Sequence, residues 1–123
     1  MKKIVAIFLI GSVAIPALAQ ERTFLPKGEV EILAAGKKWV HIRLADQNKA
    51  SWALSNGGYL WGNNLTTGQA DKGTWSVNEQ GQLCVKWHGR STDRCVAVLK
   101  DGEKLKMVDS NDLNGTYADL TVE

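Results

Sequence analysis

Between Trp75 and Met107, apolar side chains recur at every second position through three segments, each ending in turn-forming residues. That two-residue rhythm suits pleated strands and argues against helix over the whole stretch. Gly73-Thr74-Trp75-Ser76-Val77 leads through Asn78-Glu79-Gln80-Gly81 into Gln82-Leu83-Cys84-Val85-Lys86-Trp87. A four-residue turn at His88-Gly89-Arg90-Ser91 returns the chain as Arg94-Cys95-Val96-Ala97-Val98-Leu99. Cys84 then stands opposite Cys95, and Trp87 opposite Thr92. Asp101-Gly102 reads as a two-residue hairpin turn that pairs Val98 with Leu105 and Val96 with Met107. In this register Leu83, Val85, Trp87, Val96, Val98, Leu105 and Met107 share one face. The cysteines, Lys86, Lys104 and Lys106 share the other.

Upstream the pattern is similar but shorter. Trp39-Val40-His41-Ile42-Arg43-Leu44 sets Val40, Ile42 and Leu44 on one side, so Trp39 is expected to be partly exposed with His41 and Arg43. Asp46-Gln47-Asn48-Lys49 reads as a turn. Ser51–Ser55 and Tyr59–Trp61 flank Asn56-Gly57-Gly58, a hairpin signal. A two-residue turn there puts Trp52, Leu54, Tyr59 and Trp61 on one face. Residues 63–71 and 109–115 read as polar loops, and residues 116–122 as a closing strand. One helix is expected, over Leu25–Gly36, with Pro26 in its first turn, Gly36 at its stop, and Val30, Leu33 and Ala34 along one face. The expected fold class is all-β and mainly antiparallel, an eight-stranded meander after one short N-terminal helix. Such a meander exposes two edges unless it curls, which favours a closed or partly open barrel over a flat sheet.

The first nineteen residues read as a signal peptide. Lys2 and Lys3 precede an apolar run over residues 4–15, Pro16 ends it, and Ala17-Leu18-Ala19 offers the small-x-small site. Cleavage after Ala19 leaves a single β-rich domain over residues 20–123, in the periplasm or secreted. The run is short for a permanent membrane anchor. The leader holds two of the 15 basic residues and none of the 13 acidic ones, so the mature chain is balanced. Nucleic-acid binding needs a concentrated positive footprint, and none is expected here. Cys84 and Cys95 are the only cysteines, and an exported chain meets an oxidising compartment, so they are expected to form a disulfide. The competing readings are free thiols or metal ligation, but two lone cysteines without a nearby histidine pair make a poor zinc site.

At Gly73-x-Trp75, Gly81-x-Leu83-Cys84, Trp87 and Cys95, with the stretch from Glu29 to Lys37 before them, the chain resembles a known group. It is similar to the small exported proteobacterial proteins grouped as a domain of unknown function, with a Gly-Thr-Trp … Gly-x-Leu-Cys … Trp … Cys pattern. The resemblance covers most of the mature chain. It implies export, the disulfide and a small β-rich domain, and it implies no activity and no catalytic residues.

Few residues suggest chemistry. No serine elbow or His-Glu-x-x-His motif occurs. His88, oriented by Asp93, could serve as a general base, but the same residues suit a solvated hairpin tip. The oxygen-rich run over residues 109–115 lacks the calcium-loop spacing, because Leu113 and Leu120 stand where ligands are needed. No metal, no cofactor and no catalytic residue is therefore expected. Five tryptophans offer more, and Trp52, Tyr59, Trp61, Trp75 and Trp87 are candidates to wall a ligand pocket or fill the core. Trp39, His88, Arg90 and Asp93 are candidates for a partner contact. The leading expectation is a non-enzymatic binding module for a small apolar ligand or an envelope protein. The alternatives are an inhibitor or protective factor acting on a cell-envelope enzyme, and an unrecognised hydrolase.

Overall fold

The computed structural model describes residues 22–123, so the expected leader lies outside the described residues. Helix α1 (Lys27–Ala34) starts one residue after Pro26, which is the N-cap and not the first turn. The Pro26 carbonyl accepts the N–H groups of Glu29 (3.0 Å) and Val30 (3.1 Å), and Glu29 sits at the positive end of the helix. Val30 and Ala34, one turn apart, are fully buried, and Leu33 packs against the same core.

Eight strands follow: β1 (Lys37–Arg43), β2 (Lys49–Leu54), β3 (Tyr59–Asn64), β4 (Ala70–Val77), β5 (Leu83–Trp87), β6 (Arg94–Asp101), β7 (Lys104–Asp109) and β8 (Ala118–Val122). Each pairs antiparallel with the next, and β8 returns to β1 through Trp39–Val122, His41–Leu120 and Arg43–Ala118. The barrel is closed, so no strand edge is left to pair with another chain. Phe24 bridges Leu99, and the Leu25 N–H donates to the Val98 carbonyl (2.8 Å). This short segment covers β6 where it runs past the first residue of β5. Among the described residues no helix is long and apolar enough to cross a membrane.

The long stretch with the clearest rhythm folds as expected in its faces. Cys84 stands opposite Cys95 and is bonded to it, while Leu83, Val85, Val96, Val98 and Met107 are buried. The β6–β7 turn differs by two residues: Val98 pairs with Met107 and Val96 with Asp109, leaving Gly102 and Glu103 at the tip. A slip of two keeps every side chain on its face. The β5–β6 turn is longer than four residues, because β6 begins at Arg94 and Trp87 does not pair with Thr92.

Two upstream expectations are overturned. In β1 the phase is inverted: Trp39 (0 % exposed) and His41 (3 %) face inward, while Ile42 and Leu44 are exposed. In the β2–β3 hairpin the Ser55 N–H donates to the Tyr59 carbonyl (2.9 Å), so the turn has three residues, with Gly58 at φ +88°. Leu54 therefore faces Leu60, and Trp52 faces Gly62. An odd turn shifts β3 by one position, which moves Leu60 and Gly62 inside and puts Tyr59 and Trp61 outside. The loop expected over residues 63–71 shrinks, because β3 runs to Asn64 and β4 starts at Ala70.

Helix α1 closes the barrel end that carries the β2–β3, β4–β5 and β6–β7 turns. Val30 and Ala34 meet Trp39, Leu54, Leu60 and Leu83 there in one core cluster. The opposite end, ringed by residues 44–48, 65–69, 88–93 and 110–117, has no helix over it among the described residues.

Candidate functional site

At that opposite end the inward positions stop being apolar. Arg43 continues the inward row of Trp39 and His41, Asn64 that of Leu60 and Gly62, Asp71 that of Gly73, and Arg94 that of Val96 and Val98. Together they surround an open cavity of about 530 Å³. Its floor is His41, Trp52 and Trp87. The His41 ring meets Trp52 edge-on at 4.6 Å between centroids, and Trp52 meets Trp87 at 6.2 Å. Trp87 can lie across the barrel because Gly62 has no side chain, and a Cβ there would overlap the indole. The Tyr117 ring completes this aromatic row, 6.5 Å from His41.

Arg43, Arg94 and Asp71 are each held in place by neighbouring groups. The Arg43 guanidinium donates to both Asp46 oxygens (Nε 3.3 Å, Nη2 2.8 Å). Burial works against its charge, but a hydrogen bond with Tyr117 and the Asp46 carboxylate outweigh that and raise its pKa. Arg94 donates through Nη1 to Asp109 (3.1 Å), and its guanidinium carbon lies 4.6 Å from the Tyr117 ring centre. Asp71 accepts the N–H groups of Lys72 (2.8 Å), Gly89 (3.0 Å) and Ser91 (3.2 Å), pinning the 88–93 loop beside the mouth. Desolvation would raise the Asp71 carboxyl, but the Ser91 side chain and these N–H groups win and lower it.

His41 is the buried titratable group of the site. Burial first, then the charges of Arg43 and Arg94, lower its pKa from 6.5 to about 4. Its Nδ1 is buried without a hydrogen-bond partner among the described residues. The unfolded chain binds this proton at the ordinary pKa, whereas the folded chain resists it until about 4. The stability is therefore fully present above about pH 6.5 and falls as pH drops towards about 4, by about 3 kcal/mol over the window. Urea midpoints across that window should fall more steeply in the wild type than in His41→Gln. Equal slopes would show that His41 does not carry the loss.

The structure divides the expected aromatic pocket. Trp52 and Trp87 line the cavity. Trp75 packs at the helix end, its Nε1–H donating to the Ser55 carbonyl (2.9 Å). Tyr59 and Trp61 are exposed on the outer face of β3, 68 % and 54 %. The expected partner contacts divide as well. Trp39 is no surface residue; its Nε1–H donates to the Leu33 carbonyl (2.9 Å) beneath α1. His88, Arg90 and Asp93 are exposed on the 88–93 loop, and only Arg90 reaches the mouth. Asp93 does not orient His88, since its Oδ1 accepts the Trp87 N–H (2.8 Å). In the 109–115 run, the Asp109 oxygens serve Arg94 and the Asn111 N–H.

Sequence reading missed His41, Arg43, Asp71, Arg94 and Tyr117. Arg94 and Asp71 were within reach of it, because both continue the phase of inward neighbours two positions away.

The fold and site together define a small closed antiparallel barrel, plugged at one end by a helix and open at the other onto a polar chamber with an aromatic floor. No protein-family model matches this chain, and neither does any curated protein.

Proposed function

We propose that this chain is an exported, non-enzymatic binding module that holds a small polar molecule in the open mouth of its barrel. One observation carries the reading. The core ends at His41, Trp52 and Trp87, and above them side chains that form hydrogen bonds converge on a shared concave space. Its volume falls within the range of small-molecule sites, and its walls are fixed by Asp46, Asp109 and the 88–93 loop, so it is largely formed in advance. A polar lining favours a polar occupant over the apolar ligand expected from the tryptophan count. Export to the periplasm or beyond is supported by the Cys84–Cys95 bond and the leader-like start of the sequence.

The test is a thermal-shift panel of small polar metabolites, charged and neutral, on the wild type and on Ala50→Trp. Ala50 lines the cavity, and an indole there would occupy it. A ligand at 100 times its Kd adds about 2.7 kcal/mol to the folded state, enough for a clear rise in Tm. We expect at least one compound to stabilise the wild type and to leave Ala50→Trp unmoved. Identical profiles for the two proteins would sink the reading.

A further inference from the structure

We infer that the mouth selects a small flat organic anion, a carboxylate carried on an aromatic body, with Arg43 and Arg94 receiving the charge and the tryptophan floor the ring. The inference rests on the binding reading above and names the ligand class for that site.

The charges decide the sign. Three guanidiniums, Arg43, Arg90 and Arg94, line the chamber against one carboxylate, Asp71. Three backbone N–H groups already satisfy Asp71, so it has little left to offer a cation. Arg94 is not saturated in the same way. It gives only Nη1 to Asp109, and its Nε and Nη2 have no hydrogen-bond partner among the described residues. A guanidinium presents five donors in a planar fork that suits a carboxylate.

Arg43 and Arg94 are also drawn together. Both line the chamber beside Tyr117, and the Arg94 guanidinium carbon lies 4.6 Å from the centre of that ring. Asp46 and Asp109 pair with these two guanidiniums from outside the chamber, so Arg90 is the chamber guanidinium without a carboxylate partner among the described residues, and an anion in the mouth would supply one. The floor cannot supply the counter-charge, since His41, Trp52 and Trp87 are uncharged near neutral pH.

Shape comes from the floor. Trp52 and Trp87 meet edge to face, and Gly62 leaves the Trp87 indole room to lie across the barrel, so a flat ring can stack or abut there without displacing backbone. The one buried side-chain nitrogen lacking a partner among the described residues, His41 Nδ1, belongs to the same floor.

Titration calorimetry on the disulfide-bonded mature chain separates the possibilities with three probes: 2-naphthoate, its neutral isostere 2-naphthamide, and inorganic phosphate. We expect 2-naphthoate to bind about tenfold or more tighter than the amide, as charge-assisted hydrogen bonds require. Its affinity should fall as salt rises, while that of the amide stays level. Phosphate, which has the charge without the ring, should bind more weakly than 2-naphthoate. Arg94→Gln combined with Asp109→Asn, which leaves no orphaned carboxylate, should weaken 2-naphthoate about tenfold and spare the amide. Arg43→Gln gives the same comparison should the double variant fail to fold. Equal affinity for acid and amide, or no response to either arginine change, overturns the anion assignment. Phosphate matching 2-naphthoate overturns the flat-body part. Silence from all three probes overturns the ligand class, and the Ala50→Trp comparison still judges mouth binding separately.

Discussion

Trp39→Ala should cost the fold about 3–5 kcal/mol, the largest loss expected from any single change considered. Its indole is fully buried between β1 and the helix, and its Nε1–H donates to the Leu33 carbonyl (2.9 Å) near the end of α1. Alanine would leave a cavity and an unsatisfied carbonyl at once, and the two costs add. The helix has little else to hold it, because Val30 and Ala34 are its only fully buried side chains. A domain of this size is stable by about 5–15 kcal/mol, so the plugged end of the barrel should open well before the rest. Urea unfolding checks the size of the loss, and amide exchange over residues 27–43 checks its place. Ile42→Ala is the matched control: Ile42 is 37 % exposed, and its loss should cost under about 1 kcal/mol. A larger loss at Ile42 than at Trp39 would contradict the phase of β1.

That control marks where pattern reading stops working. In residues 39–44 both phases carry large side chains, and valine, isoleucine and leucine outvote tryptophan, histidine and arginine for the interior. The vote assumes that the inside of the barrel is apolar along its whole length. Here the upper interior is a polar chamber, so His41 and Arg43 can face inward there. The same physics puts Asn64, Asp71 and Arg94 inside.

The hairpins show a different limit. The Asn56-Gly57-Gly58 signal located its turn, but the two-residue loop expected there has three residues, and that one residue decides whether Trp61 fills a core or meets solvent. At Asp101-Gly102 the slip was two residues and the faces survived. Curling of the sheet into a closed or partly open barrel was legible because a flat eight-strand meander exposes two edges, and the structure shows it closed. The 84–95 register was legible because a covalent pair fixes it.

Replacing both Cys84 and Cys95 by serine should cost about 3 kcal/mol, the loop-closure entropy for a separation of 11 residues. For a domain of this length that corresponds to a fall in Tm of roughly 10–20 °C. The position of the bond makes the effect more than entropic. The β5–β6 ladder runs only through Leu83–Val96, Cys84–Cys95 and Val85–Arg94, whereas β6 pairs with β7 from Val96 to Asp101. The disulfide therefore staples one of the two shortest ladders of the barrel wall, β7–β8 also having three pairs, and the loop directly over it carries Arg90 and leads into Arg94. Without the bond, that seam should fray from the mouth downwards. Amide exchange should accelerate in residues 84–96 before the β1–β2 ladder responds. Any affinity for the proposed 2-naphthoate probe should fall along with Tm, because Arg94 depends on the seam for its position. A Tm loss with unchanged exchange in residues 84–96 would assign the whole effect to the unfolded chain. Tm unchanged on reduction would mean that the backbone ladder alone holds the wall.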